Sequence, residues 1–456
     1  MTASSTRTSR ADDGYEAAVA ALTSRGRFGI SLGLERVEAI LDELDHPERA
    51  LRGALVGGTN GKGSVVAMAR SVLGAAGLRV GTMPKPHLVS YRERIAIDGR
   101  PLDEARFARA VRRVMPAVDR VAERLGPPTE FEALTAAAFG ELARGDLDLV
   151  LVEVGMGGRL DATNVLDPGV AAITNVQLDH ERYLGHTLAA IGAEKAAIIK
   201  RGNLAVTGAT GRGLRPITER ARGLGVPLAL AGPRRPYRVT LRDAGWDGLL
   251  VDLRSPEGTL RDVRIGLLGS HQAGNAAIAL GLLEALRTDA ERRGAPLDGL
   301  NEDAIRAGLQ GAQWPGRLEL LRATPCGDVL LDGAHNPAGA RALAAALTEL
   351  GMRGFPLVLG AMRGKRVRDM LRALSTLGPR PIFTAVDDPG ARSPQELLDA
   401  WRAVGGRGGR IAEGPRQALE LAAEMRRSAD QPVVVAGSLY LVGAVRGMLA
   451  GEEAAA

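Results

Sequence analysis

The chain has little cysteine, few aromatic residues and no long hydrophobic run. Cys326 is the single cysteine among 456 residues, which excludes an internal disulfide and suits a reducing compartment. Aromatic residues make up 3% of the chain, so we expect cores built mainly from aliphatic side chains. No run of about 18 apolar residues occurs, and residues 1–14 lack an apolar stretch. The sequence therefore predicts neither a membrane span nor a signal peptide, and it indicates a cytoplasmic protein.

Lysine is also scarce in this sequence. Only five of the 59 basic residues are lysines, and they are Lys62, Lys85, Lys195, Lys200 and Lys365. Arginine keeps its proton in proteins, whereas a buried lysine can become a neutral amine. A chain so rich in arginine is therefore expected to keep lysine where the chemistry of an amine is needed.

The net charge of +6 indicates an anionic partner. The arginines are scattered along the chain and do not alternate with aromatic residues, which argues against a nucleic-acid partner. An anionic small substrate fits the charge equally well. We expect a monomer that binds neither nucleic acid nor membrane.

Short apolar runs alternate with helical patterns along most of the chain, which predicts an α/β fold. A strand, a glycine loop and a helix follow one another around residue 58, and similar apolar runs lie at 147–155, 170–176 and 203–209. The pattern changes to a small antiparallel patch from Tyr237 to Leu268, followed by a helix over 272–286. A second alternating set begins after about Arg317. We predict a P-loop-type parallel-sheet ATPase domain over 1–308, and a second Rossmann-like α/β domain over 309–456.

The segment GTNGKGS (58–64) is similar to a phosphate-binding loop but departs from the strict pattern. Val56 stands where that pattern has its first glycine, and Gly63 separates Lys62 from Ser64. Glycines allow backbone N–H groups to surround phosphate oxygens, while the lysine reaches the terminal phosphates and the serine takes Mg²⁺. The alternative is a glycine turn that only joins a strand to a helix.

Two further polar residues are predicted to lie at the same edge of the sheet as Ser64. Glu153 ends an apolar strand, and His180 follows the next one by a few residues. Ligands of open α/β sheets bind beyond the carboxyl ends of the strands, so these three side chains are expected to share a Mg²⁺ ion. The alternatives are a solvated loop carboxylate and a loop histidine with structural hydrogen bonds.

Lys195 lies on the apolar stripe of a predicted helix after Thr187. The stripe is formed at spacings of three and four residues by Leu188, Ile191, Lys195, Ile198 and Ile199. Burial should lower the pKa of this lysine, and the neutral amine could act as a nucleophile or capture CO₂ as a carbamate that binds a second metal ion. The alternative is a lysine that extends its charge to solvent. Lys200 is expected to be a cation at the end of the helix.

Seven segments in order give the chain a resemblance to a known family. They are GTNGKGS, LVEVGMGGRLDATNV, LGHTLAAIGAEKAAIIK, LLGSHQAGNAA, WPGR, LLDGAHNPAG and AGSLYLVG, within about residues 28–445. Together they resemble the bacterial folylpolyglutamate synthase and dihydrofolate synthase family, within the Mur ligase superfamily of ATP-dependent amide-forming enzymes.

The resemblance implies a reaction and a set of site residues. ATP would phosphorylate a substrate carboxylate, and the amine of L-glutamate would attack the acyl phosphate to give an amide, ADP and phosphate. It implies that ATP is a substrate, that two Mg²⁺ sites are present, and that Lys195 is carbamylated. The catalytic residues would be Lys62, Lys195 and His335. The ATP-binding residues would be Thr59, Asn60, Gly61, Lys62, Gly63, Ser64, Asn275, Arg317 and Asp332. The metal ligands would be Ser64, Glu153, His180 and Lys195. The substrate contacts would be His87, Phe131 and Asp161 for a folate or pteroate, and Ser438 for glutamate.

Three positions depart from the family pattern. Glu130 replaces an aromatic residue in the TEFE segment, Lys85 replaces a small hydroxyl residue in KPHL, and Gly364 stands where the family usually has an aspartate. Lys85 and Glu130 could form an ion pair in the acceptor pocket, or could be unrelated surface charges.

Two other functions are compatible with the sequence. One is a Mur-type ligase that acts on a different carboxylate, although the 57 residues before Gly58 are too few for the extra domain of the peptidoglycan ligases. The other is an ATP-binding regulator that does not hydrolyse ATP. The combination of Lys62, Ser64, Glu153, His180 and Lys195 argues against a regulator.

Overall fold

The computed structural model describes residues 9–25 and 33–450. These residues form an eight-stranded sheet, a three-stranded sheet and a six-stranded sheet. The arrangement confirms the predicted α/β class, with two largely parallel sheets and a small antiparallel patch between them in the chain.

The first sheet has β1 at its centre, paired in parallel with β5 and β6. The spatial order is β4-β3-β2-β5-β1-β6-β7-β8, with the strands bounded as β1 (Gly53–Gly57), β2 (Val80–Met83), β3 (Ala96–Ile97), β4 (Arg100–Pro101), β5 (Leu149–Glu153), β6 (Gly169–Ile173), β7 (Leu204–Thr207) and β8 (Leu228–Leu230). Alternate residues of β1 enter two different cores, since Leu55 packs on one face and Val56 on the other. Burial on both faces explains why these strands are continuous apolar runs.

Ten helices accompany this sheet within the described residues. They are α1 (Ser9–Thr23), α2 (Glu35–Asp42), α3 (Lys62–Ala75), α4 (Glu104–Leu125), α5 (Glu130–Ala143), α6 (Glu181–Leu184), α7 (Leu188–Ala196), α8 (Gly211–Leu224), α9 (His271–Arg292) and α10 (Glu302–Gln310). Short 3₁₀ helices cover Pro47–Ala50, Tyr91–Arg94 and Ala162–Val165. No helix within residues 9–25 and 33–450 has the length and apolar character needed to cross a bilayer.

The antiparallel patch contains β9 (Arg238–Gly245), β10 (Gly248–Ser255) and β11 (Gly258–Ile265). β10 lies in the middle and pairs with both neighbours. Leu249 and Val251 of β10 join the core formed by one face of the first sheet. The patch therefore packs against the first sheet and extends its core.

The second parallel sheet has the order β12-β13-β17-β14-β15-β16, and β12 is its antiparallel edge. Its elements are β12 (Glu319–Thr324), β13 (Gly327–Leu331), α11 (Pro337–Glu349), β14 (Pro356–Leu359), α12 (Val367–Ser375), β15 (Arg380–Phe383), α13 (Pro394–Ala403), β16 (Arg410–Ile411), α14 (Pro415–Glu424), β17 (Val433–Ala436) and α15 (Leu439–Ala450). Leu330 and Leu331 of β13 point into cores on opposite faces.

The predicted domain division at 308/309 falls inside α10. This helix packs closely on α3. Gly308 approaches Val72 of α3, since a Cβ on Gly308 would lie 2.2 Å from the Val72 Cα. The second sheet begins only at Glu319. We therefore propose that the division lies in the segment 311–318.

Candidate active site

The loop GTNGKGS joins the end of β1 to the start of α3, as the sequence predicts. Gly61 precedes the helix with a φ of 82°, a left-handed conformation that suits glycine. No side chain caps this helix end, so its first N–H groups face the loop. The Lys62 Nζ donates to the Gly58 and Thr59 carbonyls at 3.2 and 3.3 Å. The loop therefore places a lysine and a helix N-terminus side by side, an arrangement suited to binding phosphate.

Residues that follow β6 hold this loop in place. The Thr59 backbone N–H donates to the Asn175 carbonyl at 3.0 Å, and the Asn60 N–H donates to the Asn175 Oδ1 at 3.0 Å. Asn60 also accepts a hydrogen bond from the Thr174 hydroxyl at 2.6 Å. Thr174 and Asn175 were not predicted from the sequence to lie at this site. Their position directly after a buried strand, at the same edge as the loop, was the available signal.

Two side chains from later in the chain pack against the loop. A Cβ on Gly61 would lie 2.3 Å from the Asn275 Oδ1, and a Cβ on Gly63 would lie 2.5 Å from the Trp314 ring. Asn275 is buried in the first turns of α9 and donates to the Gln272 Oε1 at 2.8 Å. The structure thus places Asn275 against the loop, near enough to contact a ligand bound there. Trp314 was not predicted, and its role follows only from this packing.

Glu153 lies at the end of β5, next to the loop, and is 4% exposed. Its Oε1 is 3.9 Å from the Lys62 Nζ, and its Oε2 accepts a hydrogen bond from the Lys85 backbone N–H at 3.2 Å. Burial raises the pKa of Glu153, while Lys62 and the Lys85 N–H act in the opposite direction. A cation bound beside this carboxylate would offset the cost of its burial.

Lys195 is buried in α7, as its place on the apolar stripe predicts. It is 3% exposed, and its Nζ donates to the Gly58 carbonyl at 3.0 Å. Burial lowers the pKa of Lys195 to about 7, and the positive charge of Lys62 adds to this effect. At neutral pH a substantial fraction of this amine is therefore unprotonated, which is the form that reacts with CO₂.

His180 follows β6 and precedes α6 with a φ of 51°. Burial lowers the pKa of His180; among the neighbouring charges Asp179 raises it, and Lys365, Lys62 and Lys195 lower it. The structure thus brings His180 into the electrostatic environment of the two loop-side lysines. A neutral imidazole is the form that can bind a metal ion.

Lys200 differs from its predicted place at a helix end. The helix α7 ends at Ala196, so Lys200 lies four residues beyond it. Its Nζ donates to the Leu166 carbonyl at 2.6 Å and to the Asn164 Oδ1 at 3.1 Å. Lys200 therefore ties this segment to the 3₁₀ helix Ala162–Val165 rather than interacting with a helix dipole. Burial lowers its pKa to about 8.

The carboxyl ends of the parallel strands in each large sheet form an edge that we call its rim. The rim of the second sheet carries Arg317, Asp332 and His335. The Asp332 carboxylate accepts hydrogen bonds from the Leu318 and Ala334 backbone N–H groups at 3.0 and 2.9 Å. Burial lowers the pKa of Arg317, whereas the Asp332 and Glu153 carboxylates raise it. Because Glu153 belongs to the first sheet, Arg317 lies in the electrostatic field of both rims.

His335 is held in one tautomer by its surroundings. Its Nδ1 lies 2.7 Å from the Gly333 carbonyl, which can only accept, so Nδ1 carries the proton. Burial lowers the pKa of His335 to about 4, and the positive charge of Lys365 acts in the same direction. The ring is therefore neutral at physiological pH, with Nε2 left as a hydrogen-bond acceptor.

Ser438 lies immediately before α15, where it is 2% exposed. Its hydroxyl oxygen accepts a hydrogen bond from the Tyr440 backbone N–H at 3.2 Å. This is the contact of a turn or helix cap. The hydroxyl proton remains able to donate to a ligand.

The predicted acceptor pocket contains Phe131 and Asp161 in contact with Lys85. The Lys85 Nζ lies 3.7 Å from the centre of the Phe131 ring and 3.8 Å from the Asp161 Oδ1. Asp161 accepts hydrogen bonds from the Met156 N–H at 2.9 Å and the Thr163 N–H at 3.0 Å. Burial lowers the pKa of Lys85 to about 8, and Asp161 partly offsets this effect.

The TEFE segment has a structural role in starting α5, which was not predicted from the sequence. Thr129 caps α5 in a capping box with Glu132, whose carboxylate accepts the Thr129 N–H at 2.7 Å. The spacing of a threonine and a glutamate three residues apart was the available signal. Glu130 exerts its charge on the buried Arg94, whose pKa is lowered by burial and raised by Glu130. The Lys85 ammonium lies 3.8 Å from the Asp161 carboxylate, so Lys85 pairs with Asp161 rather than with Glu130, and both Lys85 and Glu130 are buried rather than at the surface.

His87 lies beside the same pocket. Its Nδ1 accepts a hydrogen bond from the Arg94 Nε at 2.9 Å, and its ring packs against the Tyr91 ring at an interplanar angle of 45°, with centroids 4.3 Å apart. The following residue, Leu88, packs against α15, as shown by Gly443 in that helix: a Cβ on Gly443 would lie 1.8 Å from the Leu88 carbonyl oxygen. The loop after β2 therefore runs from the predicted acceptor pocket to α15.

The residues around Lys62 fit a magnesium ion. Glu153 supplies a buried carboxylate, Ser64 lies in the first turn of α3, and His180 can be neutral. Within residues 9–25 and 33–450 no three histidine, cysteine or acidic side chains form a metal cluster. A site with few protein ligands is usual for Mg²⁺, which keeps several waters and binds phosphate oxygens.

Comparisons with known proteins agree with this site. Residues 114–283 match the Mur ligase middle domain, and residues 322–448 match the dihydrofolate synthetase C-terminal domain. The dihydrofolate synthase/folylpolyglutamate synthase of Bacillus subtilis is 33% identical over 443 residues, covering 95% of this chain and 98% of its own.

Solved structures give the same result over the whole fold. Folylpolyglutamate synthase of Mycobacterium tuberculosis complexed with ADP is 34% identical, with a TM-score of 0.87 over 96% of this chain and 99% of its own. E. coli FolC in complex with DHPP and ADP is 29% identical, with a TM-score of 0.81 over 96% of this chain and 98% of its own. The chain therefore belongs to the dihydrofolate synthase/folylpolyglutamate synthase family of the Mur ligase superfamily.

Proposed function

We propose that this protein is an ATP-dependent ligase that joins L-glutamate to the carboxylate of a folate-type acceptor. The observation that carries the proposal is the convergence of three buried or half-buried charges at one loop. The Lys62 Nζ lies 3.9 Å from the Glu153 carboxylate, and the Lys195 Nζ donates to the Gly58 carbonyl. Family membership and the ADP named with two of its neighbours support ATP as the nucleotide.

The reaction would proceed in two steps. An oxygen of the acceptor carboxylate attacks the γ-phosphorus of ATP, which gives an acyl phosphate and releases ADP. The amine of L-glutamate then attacks the acyl carbon, loses a proton and expels phosphate to form the amide. Lys62 and the N–H groups at the start of α3 would stabilise the charge that develops on the transferring phosphoryl group.

Mg²⁺ would be held by Ser64, Glu153 and His180, and a carbamate on Lys195 would contribute to a second ion. Such ions neutralise phosphate charge during the transfer. Carbamylation is supported by the burial of Lys195 and its pKa of about 7, because the neutral amine is the reactive form. The carbamate would also replace a buried cation by an anion beside the metal ions.

Groups from the second sheet would complete the site. We assign Arg317, Asp332 and His335 to the nucleotide side, and Ser438 to L-glutamate. The charge of Glu153, which belongs to the first sheet, raises the pKa of Arg317 beside the second sheet. Contacts from both units would exclude water from the acyl phosphate. We expect the enzyme to act as a monomer in the cytoplasm.

The test is ADP release with Mg-ATP and L-glutamate, with dihydropteroate and tetrahydrofolate supplied in separate reactions. ADP should form only when the acceptor and the amino acid are both present, and the product should carry one additional glutamate. The Lys62→Met variant is the control for background ATP hydrolysis. If the protein binds ADP but forms no ADP from ATP with either acceptor, the folate assignment is contradicted.

A Mur-type ligase for a different carboxylate is the second candidate. It is favoured by Lys85, whose ammonium covers the Phe131 ring in the acceptor pocket. ATP turnover that requires neither pteridine but responds to another carboxylic acid would select it.

A further inference from the structure

The ammonium of Lys85 is buried in the acceptor pocket without a hydrogen-bond partner. Lys85 follows β2, which neighbours β5, and is 8% exposed. Within the described residues its Nζ has no acceptor at hydrogen-bond distance. A buried ammonium normally has several such acceptors, because its loss of hydration is otherwise uncompensated. Its position therefore depends on the two groups that it touches.

Those two groups are an aromatic ring and a carboxylate. The Lys85 Nζ lies 3.7 Å from the centre of the Phe131 ring, within the range of a cation–π interaction. The Asp161 Oδ1 lies 3.8 Å from the same Nζ. Gly155 forms a wall of this space, since a Cβ there would lie 3.5 Å from the Lys85 Nζ and 3.0 Å from the Asp161 Oδ2.

An aromatic face beside a carboxylate is an arrangement that can recognise a flat heterocycle with N–H donors. A pterin ring has this chemistry, because its large faces can stack while its ring and amino N–H groups donate to a carboxylate. Here the ring face and the carboxylate are already in contact with one ammonium. A pterin and this ammonium cannot occupy the same volume.

We propose that Lys85 is a specificity-determining residue of the acceptor pocket, whose ammonium occupies the space over Phe131 and beside Asp161 that a pterin ring requires. Pterin binding then requires the ammonium to leave, so that acceptors with this ring bind more weakly than they would to a pocket with a small residue at position 85. This inference rests on the proposed function, because it assumes that Phe131 and Asp161 face the acceptor.

Neighbouring charges restrict the movement of the ammonium. Arg94 and Lys62 are like charges that act on Lys85, while Glu153 attracts it. Movement toward the phosphate loop therefore brings Lys85 closer to Lys62 as well as to Glu153. The contact with Phe131 and Asp161 is the favourable position for this side chain in the described structure.

The experiment measures pteridine binding directly, without ATP or L-glutamate. Dihydropteroate is titrated by calorimetry into the wild-type protein and the Lys85→Ser and Lys85→Met variants. Loss of the cation–π contact and of the ion pair should lower the Kd about tenfold or more in Lys85→Ser. Lys85→Met keeps the length of the side chain without its charge, so its Kd should lie between the other two. An unchanged or raised Kd in Lys85→Ser would overturn the proposal, and a raised value would show that Lys85 holds the acceptor instead.

A second variant tests whether the effect depends on the neighbouring carboxylate. In an Asp161→Asn background the ammonium loses its anionic partner, so Lys85→Ser should lower the Kd less than it does in the wild-type background. Equal effects in both backgrounds would contradict the stated arrangement. The Kd of ADP and the thermal unfolding midpoint serve as controls for folding.

The outcomes separate this inference from the proposed function. If the Kd for dihydropteroate falls in Lys85→Ser but no variant releases ADP, the ligase assignment is rejected and the role of Lys85 is retained. If the wild-type protein releases ADP but the Kd for dihydropteroate does not fall in Lys85→Ser, the ligase assignment is retained and the role of Lys85 is rejected.

Discussion

The rims of the two parallel sheets use polar residues in different ways. At the first rim, Lys62 and Glu153 lie 3.9 Å apart, beyond hydrogen-bond distance, and Lys195 is a buried amine held by a single carbonyl. At the second rim, Asp332 has both carboxylate oxygens bonded to backbone N–H groups, and the Ser438 hydroxyl caps a turn.

The two rims therefore differ in how far their polar side chains depend on a bound ligand for partners. At the first rim the Glu153 carboxylate accepts one backbone hydrogen bond and lies 3.9 Å from the Lys62 ammonium, so bound Mg²⁺ and phosphate would add further partners to both groups. At the second rim Asp332 and Ser438 accept hydrogen bonds from nearby backbone N–H groups, which orients these two side chains before any ligand binds. We therefore expect substitutions at the first rim to affect turnover most, and those at the second rim to affect stability as well.

The largest effect is expected for Lys195→Arg. Arginine cannot lose its proton and cannot form a carbamate, so the proposed second metal ligand is lost. ADP release should fall about a thousandfold, which corresponds to about 4 kcal/mol of transition-state stabilisation. The measurement is steady-state ADP release at saturating ATP. A fully active Lys195→Arg enzyme would rule out a required carbamate, and the stability curve of the variant checks that it folds.

Asp332→Ala should test whether the second rim is structural. The change leaves two backbone N–H groups without an acceptor and removes the carboxylate that faces Arg317, so the free energy of unfolding should fall by about 3 kcal/mol. Urea denaturation measures it. Asp399→Ala removes a carboxylate that is 60% exposed and should change stability by less than about 0.5 kcal/mol. If the stability of Asp332→Ala is unchanged and only KM for ATP rises, Asp332 acts on the ligand alone, as we expect for residues of the first rim.

Lys200→Met separates a structural buried lysine from Lys195. The pKa of Lys200 is lowered to about 8 from 10.5, so the unfolded chain binds more protons than the folded one between these values. The free energy of unfolding of the wild-type protein should therefore rise with pH between about 8 and 10.5, by at most about 3 kcal/mol from this group. Below pH 8 this contribution is constant. Urea denaturation at pH 7.5 and 10 should show a smaller rise in Lys200→Met, with ADP release retained; identical pH dependence would refute this account.

The smallest effect is expected for Ser438→Ala. Loss of the cap should reduce the free energy of unfolding by about 1 kcal/mol. If the hydroxyl also donates to L-glutamate, KM for L-glutamate should rise about tenfold while KM for ATP stays unchanged. Ser438→Thr keeps the hydroxyl and is the matched control. A change in KM for ATP in place of that for L-glutamate would move Ser438 to the nucleotide side.

The local parts of the site could be predicted from the sequence. The strand before Gly58, the helix after it and the position of Glu153 at a strand end follow from apolar patterns, and all three agree with the structure. The burial of Lys195 followed from a stripe within one helix. The end of that helix was less predictable, because Ile198 and Ile199 continue the apolar spacing although α7 ends at Ala196. Their burial comes from packing beyond the helix, which the spacing alone cannot reveal.

The sequence by itself determined the order of the elements, the glycine loop GTNGKGS between a strand and a helix, and the residues at the carboxyl ends of the strands, because these depend on local patterns and on the direction of parallel strands. Only the tertiary structure decided that Lys85 meets Phe131 and Asp161, and that Trp314 covers Gly63. These residues are far apart in the chain, so their contacts depend on how strands and helices pack together. Side-chain packing across such distances determines which charges find partners, and here it leaves the Lys85 ammonium over the ring of the predicted acceptor pocket.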